Sequence, residues 1–284
     1  MTGEMTQTFD TYLPNELIDS SDIPFDERRD KLCDGARQLL EKTRKDLFAR
    51  HRAGASGTEI VQLYTTLVDA LINALFKAST VDADGALLNE CALIAIGGYG
   101  RGELNPRSDI DIMFYCGSND VAALKKTTER ILYMLWDLGL DVGYSVRSGR
   151  DCLDMANQDI TARTALLDSR YLCGNRDLYK DYQEDVLKEV LNRNTQVFIT
   201  NKLEEIESRR SKYGSTVYLL EPNIKEGEGG LRDLHSALWI MRVKFKAMSL
   251  LDLVKKGVVS EQEAAAFTAA LDHIWKVRNE LHFI

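Results

Sequence analysis

Two aspartates one residue apart, Asp109 and Asp111, enter an apolar run directly after a glycine-rich segment, and no other feature restricts the fold so tightly. The stretch reads IGGYGRGELNPRSDIDIMFY over residues 96–115. Ile110, Ile112 and Phe114 recur at every second position, the period of a strand. On a strand, residues i and i+2 share a face, so the spacing holds the two carboxylates side by side. Like charges so placed oppose joint ionisation, and a divalent cation removes the conflict. Magnesium suits such a pair, because it takes a few carboxylates and completes its shell with phosphate oxygens and water. An isolated acid pair on a strand edge would simply be solvated surface, so its neighbours decide the reading.

Those neighbours favour a phosphate. Residues 91–96 (CALIAI) are short, apolar and followed by glycines, the pattern of a buried strand. Gly97, Gly98, Gly100 and Gly102 come next. Lacking a Cβ, they let backbone N–H groups approach a phosphate closely. Arg101 offers a charge-assisted contact to a phosphate oxygen. The turn does not follow the GxxxxGK[ST] pattern and is not a P-loop. A strand, a phosphate-cradling turn and a metal-binding strand together describe one compact site for a nucleoside triphosphate.

Around this segment the periodicity is mostly helical. Residues 30–50 carry Leu32, Ala36, Leu39, Leu40 and Leu47 at helical spacing. Thr58 is placed to cap a second helix bearing Ile60, Leu63, Leu67, Leu71 and Leu75, and residues 81–85 (VDADG) form the next break. Residues 121–138 read as a helix and 141–147 (DVGYSVR) as a third strand. Helices are expected over 161–171, 177–191, 195–210, 234–254 and 261–282. Strands interleaved with helices give an α/β core within an α+β fold: a small mixed sheet flanked by helices, with N-terminal helices and a C-terminal helical domain. The expected division is an irregular arm over 1–28, the sheet-bearing core with its N-terminal helices over 29–175, and a helical domain over 176–284. Trp136, Trp239 and Trp275 lie on apolar helical faces and read as core.

Charge and cysteine usage narrow the partners. The net charge of -8 repels polyanions, which disfavours nucleic acid unless a local basic groove exists. A protein partner or a metal-chelated anion fits better. The five cysteines are scattered without a CxxC pair, so they read as free thiols of a reducing compartment. Residues 1–10 lack the basic and apolar regions of a signal peptide, and no apolar run is read as a membrane span. A cytoplasmic protein is expected. His51, His235, His273 and His282 have neither His-Asp adjacency nor zincin spacing, and read as structural or exposed.

The run GGYGRGELNPRSDIDIMFY resembles the signature of polymerase-beta-type nucleotidyltransferases, hG[GS] followed by [DE]h[DE]h. More narrowly, GGYGRGEL with SDID resembles the bacterial PII-protein uridylyltransferases, also called uridylyl-removing enzymes. Residues 221–234 (EPNIKEGEGGLRDL), 135–147 (LWDLGLDVGYSVR) and 161–174 (TARTALLDSRYLCG) also resemble that family, so the likeness runs from about residue 28 to the end. The resemblance implies that Gly97, Gly98 and Ser108 bind the triphosphate, that Arg101 assists, and that Asp109 and Asp111 hold Mg2+. It implies a third carboxylate on a later strand, for which Asp141 is the candidate; the other reading of Asp141 is a loop or strand-cap residue. Lys225 and Arg232 flank the start of a helix after Gly227, Gly229 and Gly230, an anion site in principle. The other reading pairs Arg232 and Asp233 within the helical domain.

The expected activity is transfer of UMP from UTP to a tyrosine of the PII signalling protein, in nitrogen regulation, with catalytic residues Asp109, Asp111 and Asp141. The alternatives are a nucleotidyltransferase using ATP or another acceptor, and a regulatory nucleotide-binding module without turnover. The resembling family continues into a His-Asp phosphohydrolase domain and small regulatory domains. This chain has no His-Asp dipeptide and stops within an apolar helical run. It is therefore expected to be an N-terminal portion of a longer protein, or a short relative, that attaches nucleotide without removing it and without regulation by glutamine.

Overall fold

The computed structural model describes residues 9–20, 22–80, 90–117, 121–213 and 223–284. The break expected at 81–85, residues 1–8 of the arm and residues 221–222 of the second glycine-rich block lie outside the described residues.

The sheet is built from four strands. They are β1 (Cys91–Ala95), β2 (Ile110–Cys116), β3 (Val142–Arg147) and β4 (Arg170–Gly174), in the order β3-β2-β1-β4. β1 runs antiparallel to β2 and β4, whereas β2 and β3 are parallel, so the sheet is mixed. Every residue of β1 is buried, which is why CALIA is apolar at each position rather than alternating. The parallel β2–β3 pair needs a crossover, and a helix over Val121–Asp137 supplies it.

The helices, in chain order, begin with α1 (Asn15–Ile18), α2 (Phe25–Arg52), α3 (Gly57–Thr80), α4 (Gly97–Gly100) and the crossover α5 (Val121–Asp137). Then come α6 (Gly149–Gln158), α7 (Ile160–Leu167) and α8 (Arg176–Asp181). A π-helical segment (Tyr182–Leu187) leads into α9 (Lys188–Asn192). The remainder is α10 (Thr195–Tyr213), α11 (Leu231–Phe245), α12 (Leu250–Lys255) and α13 (Glu261–Phe283). This is the α+β arrangement expected from the sequence.

Alternation along the strands sorts the core into two faces. Leu93, Ile110, Ile112 and Phe114 pack with α2, α3 and α5, through residues such as Leu39, Leu71 and Leu135. Ala92, Ile94, Met113 and Tyr115 pack on the other side with Leu166, Tyr182, Phe198, Trp239 and Val243. A third cluster of Val61, Leu231, Leu271 and Trp275 joins α3, α11 and α13.

Several expectations are corrected. The described part of the N-terminal segment is partly helical rather than irregular, with Phe9, Leu13, Ile18 and Phe25 in the core. Buried Arg28 fastens it by donating to the carbonyls of Ile23 and Leu17, both at 2.8 Å. The cap of α3 is Ser56, whose Oγ accepts from the Glu59 N–H at 3.0 Å; Thr58 lies inside the helix and bonds to Asp272. Helix α3 itself is long and apolar enough, by length and composition, to cross a membrane. Here it is a core helix, with Val68, Leu71, Ile72 and Leu75 fully buried.

The helix expected over 161–171 stops at Leu167, and residues 170–174 are β4, because pairing with β1 outweighs local preference. The helix expected over 234–254 breaks at Lys246, which is left-handed (φ 52°), and α12 restarts from a capping box of Ser249 and Asp252. A like box, Ser148 with Asp151, starts α6, which the periodicity missed. Trp136 is 44% exposed and packs against Tyr133 and Tyr144 rather than in the core.

Gly100 marks the tightest junction near the sheet. A Cβ there would lie 1.8 Å from the Asp168 carbonyl oxygen and 2.8 Å from that of Ala95. Both obstacles are backbone and cannot swing aside. Gly100→Ala is expected to lower stability by roughly 1–3 kcal/mol or more, as overpacking does. Urea unfolding checks this, and an unchanged midpoint would remove the packing argument.

Candidate active site

Strand β1 delivers the chain into the glycine turn at Ile96, whose N–H donates to the Asp111 carbonyl at 3.0 Å. Gly97 is left-handed (φ 59°), a conformation glycine adopts without cost, and the turn closes as the short helix α4. A Cβ on Gly97 would stand 3.5 Å from Asp111 Oδ2, so the turn lies directly against that carboxylate. Asp109 comes one residue before β2, and Asp111 is its second residue. Across the parallel pair Asp111 faces Gly143. A Cβ at Gly143 would be 2.5 Å from Asp111 Oδ1, so the glycine makes room for the carboxylate.

A cavity of about 200 Å³ opens in front of this pair. Gly97, Gly98, Arg101, Ser108, Asp109, Asp111, Lys225 and Arg232 all line it, so residues far apart in the chain and singled out by sequence converge. Asp141 does not. It is exposed just before β3, its carbonyl accepts the Ile110 N–H at 2.8 Å, and it lies outside the cavity lining. Its charge still adds to the pressure on Asp111. Burial, and then the neighbouring Asp109, push the Asp111 carboxyl above its usual range, while Lys225 opposes them.

The cavity also takes in residues that sequence reasoning did not place there: Glu103, Thr161, Thr164, Asp168, His235, Trp239 and Arg278. None follows from a local motif. The facing wall is cationic. Lys225 has its pKa lowered by burial, then by the charges of Arg278 and Arg232. Arg232 meets Glu226 at 3.3 Å, and Asp233 pairs instead with Arg209 and Arg210. The Arg232–Asp233 pairing considered above is therefore replaced by these partners.

Arg101 is already engaged. Its Nε donates to Glu103 at 2.8 Å and a terminal nitrogen donates to Asp168 at 2.5 Å. The Asp168 side chain is fully buried and also accepts from Trp239 Nε1 at 2.8 Å and Arg242 at 2.7 Å. His235 Nε2 stands 2.7 Å from Glu103 Oε2. Burial pushes the Glu103 carboxyl up, but Arg101 and then His235 outweigh it and hold it at about 2. Burial, and then Arg101, lower the His235 pKa. Arg101 thus braces the turn from beneath, with its charge balanced by two carboxylates.

The donor set fits a hard divalent cation in part. Asp109 and Asp111 present two carboxylates whose mutual repulsion a cation would relieve. Among the described residues no group of three or more His, Cys, Asp and Glu side chains stands ready to hold a metal. The remaining coordination would fall to a ligand's phosphate oxygens and water. All five cysteines are free.

Two family models match the chain. The model of GlnD PII-uridylyltransferase matches residues 197–284, and that of glutamate-ammonia ligase adenylyltransferase, GlnE, matches residues 5–134. Both families are nucleotidyltransferases, and the matches support an enzyme of that kind. The first match contains Lys225, Arg232 and Arg278; the second contains the glycine turn and the aspartate pair.

Two outcomes follow from this geometry. Asp111→Asn removes a carboxyl whose raised folded pKa works against the metal-free fold at any pH above its unfolded value. At neutral pH the variant is expected to melt at or above the wild-type temperature, yet to lose any shift on adding magnesium. A wild-type magnesium shift in the variant, by scanning fluorimetry, would contradict the metal assignment. Arg101→Ala strands Glu103 and Asp168 and is expected to cost roughly 3–5 kcal/mol, as breaking a buried pair does. Because Glu103 is depressed to about 2, its contribution is complete above its ordinary value of 4.5 and fades as pH falls toward 2. The variant should therefore show its deficit at neutral pH and less of it in acid, which paired urea titrations would reveal.

Proposed function

We propose that the chain transfers a nucleoside monophosphate from a magnesium–nucleoside triphosphate complex to a hydroxyl of an acceptor protein, and that the pair is UTP and a tyrosine of the PII signalling protein, in nitrogen regulation. The observation that carries this reading is the cavity itself: a carboxylate pair against a glycine turn on one wall, and cations on the other. The match of residues 197–284 to PII-uridylyltransferases supports the choice of donor and acceptor.

Asp109 and Asp111 would hold magnesium, which when bound supplies charge neutralisation at the reacting phosphate. The amides of the first turn at Gly97 and Gly98, which a helix start leaves without intrahelical partners, bind phosphate oxygens. Lys225 and Arg232 take up charge on the leaving group. The acceptor oxygen attacks the α-phosphorus, the bond from that phosphorus to its bridging oxygen breaks, pyrophosphate departs, and the hydroxyl proton passes to solvent. Positioning and charge stabilisation do most of the work.

A second reading, AMP transfer from ATP to a protein, is favoured by one specific observation. The match that covers Gly97, Gly98, Asp109 and Asp111 is to the adenylyltransferase of glutamate-ammonia ligase. Intact-protein mass spectrometry after incubation with magnesium, each nucleoside triphosphate, and either PII or glutamate-ammonia ligase separates the two. A UMP adduct on PII is the expected result. An AMP adduct on the ligase would replace it with the second reading, and no adduct in any combination would remove both.

A further inference from the structure

We propose that Arg278, on the last helix, is a forked ligand of the nucleotide's phosphates, a role that Arg101 was expected to fill. The inference rests on the nucleotidyl-transfer reading above and adds a residue to its triphosphate subsite.

Arg278 lines the same cavity as Asp109, Asp111, Lys225 and Arg232. It differs from the other arginines around the cavity in one respect. Arg101 and Arg232 each have a carboxylate partner, whereas among the described residues none lies within ion-pair distance of Arg278. Among the described residues its side chain comes within hydrogen-bond distance of His282 alone, at 3.4 Å from Nε to Nε2. A neutral imidazole has one lone pair to offer. His282 offers it through Nδ1 to the Arg107 N–H at 3.1 Å, so Nε2 carries the proton and cannot also accept from Arg278. Among the described residues the guanidinium donors are therefore left without an acceptor, on a residue that lines the cavity. Burial, with Arg107 and Arg278 nearby, holds His282 at a pKa of about 4, which keeps the ring in that neutral form at physiological pH.

A half-buried cation with no carboxylate at ion-pair distance is costly, and two further cations nearby raise the cost. Asp109 is the opposite charge that Arg278 feels most strongly, and Arg232 opposes it. A polyphosphate bridging from the aspartate side to Lys225 and Arg278 would relieve both imbalances at once. Guanidinium suits this task because its planar donors match two phosphate oxygens together.

The helix is also fastened directly after Arg278. Asn279 is fully buried, its Oδ1 accepts from Asn105 Nδ2 at 2.7 Å, and its Nδ2 donates to the Gly57 carbonyl at 3.4 Å. Glu280 meets His51 and Arg52 at 2.9 and 2.6 Å. Asn105 and Arg107 belong to the loop that leads into Asp109, so the arginine and the aspartates are positioned as one unit. A donor held in advance in this way loses little freedom when its ligand arrives.

The test is calorimetric titration of the full chain with MgUTP, MgATP, UMP and AMP, for wild type, R278Q and R278K, with thermal melting as the folding control. For R278Q, triphosphate affinity is expected to fall at least about ten-fold, the size of a lost charge-assisted contact, with a smaller change for monophosphates. R278K keeps the charge and stem but not the fork, and is expected to recover only part of the loss. Wild-type triphosphate affinity in folded R278Q overturns the proposal. If R278Q does not fold, unchanged triphosphate affinity in R278K overturns it. If the wild-type protein binds neither triphosphate, the nucleotide reading falls and takes this inference with it. Wild-type binding with an unaffected variant leaves that reading standing and removes Arg278 alone.

Discussion

The carboxylate of Asp168 is the point on which the site's architecture rests. It is fully buried at the junction of α7 and β4, and it accepts from Arg101, Arg242 and Trp239 together. Those donors come from the glycine turn and from α11. A buried carboxylate without such partners carries a large desolvation cost, so the three donors and the acid enforce one another. Its backbone is as constrained as its side chain, because its carbonyl occupies the space beside Gly100 that any Cβ would need. The turn beside Asp111, the strand β4 and the cationic helix α11 are thereby locked into a single relation.

That arrangement explains what could be read along the chain and what could not. Strands β1 to β3, the glycine turn and the paired aspartates are local patterns: apolar runs, φ-permissive residues, a period of two. Each is legible within about twenty residues. Strand β4 was not, since Arg170–Gly174 is a strand only by virtue of pairing with β1. The capping boxes that start α6 and α12 are local signals and could have been found; hydrophobic period alone overlooked them. Arg101 was assigned to phosphate because its sequence neighbours suggest one. Its actual partners include Asp168, which no nearby pattern announces. Arg278 has the reverse character: nothing around it in sequence suggests an anion, and only folding brings α13 to the cavity.

The two family matches divide the chain in an informative way. One ends within α5 and the other begins within α10, so neither includes β3, α6, α7 or β4. Yet the cavity draws on both matched regions, with carboxylates from the first and cations from the second. The site is thus a joint product of the sheet and of the helices packed over its edge. Its opposite charges face each other because they reside on separate structural units. The third cluster, of Val61, Leu231, Leu271 and Trp275, holds those units together from α3.

The three tryptophans sit in three different environments. Trp136 is half open to water beside Tyr133 and Tyr144. Trp275 is enclosed among aliphatic side chains of α3, α11 and α13. Trp239 borders the cavity with the cationic groups of Lys202, Arg101 and Arg232 around its ring. Emission from this chain is therefore a sum of spectrally distinct parts. An aqueous quencher such as iodide reaches Trp136 first, leaving a bluer signal from the two enclosed indoles. Of those, the indole at the cavity is the one whose surrounding field would change when an anion enters, which gives the protein an intrinsic optical reporter of what occupies its site.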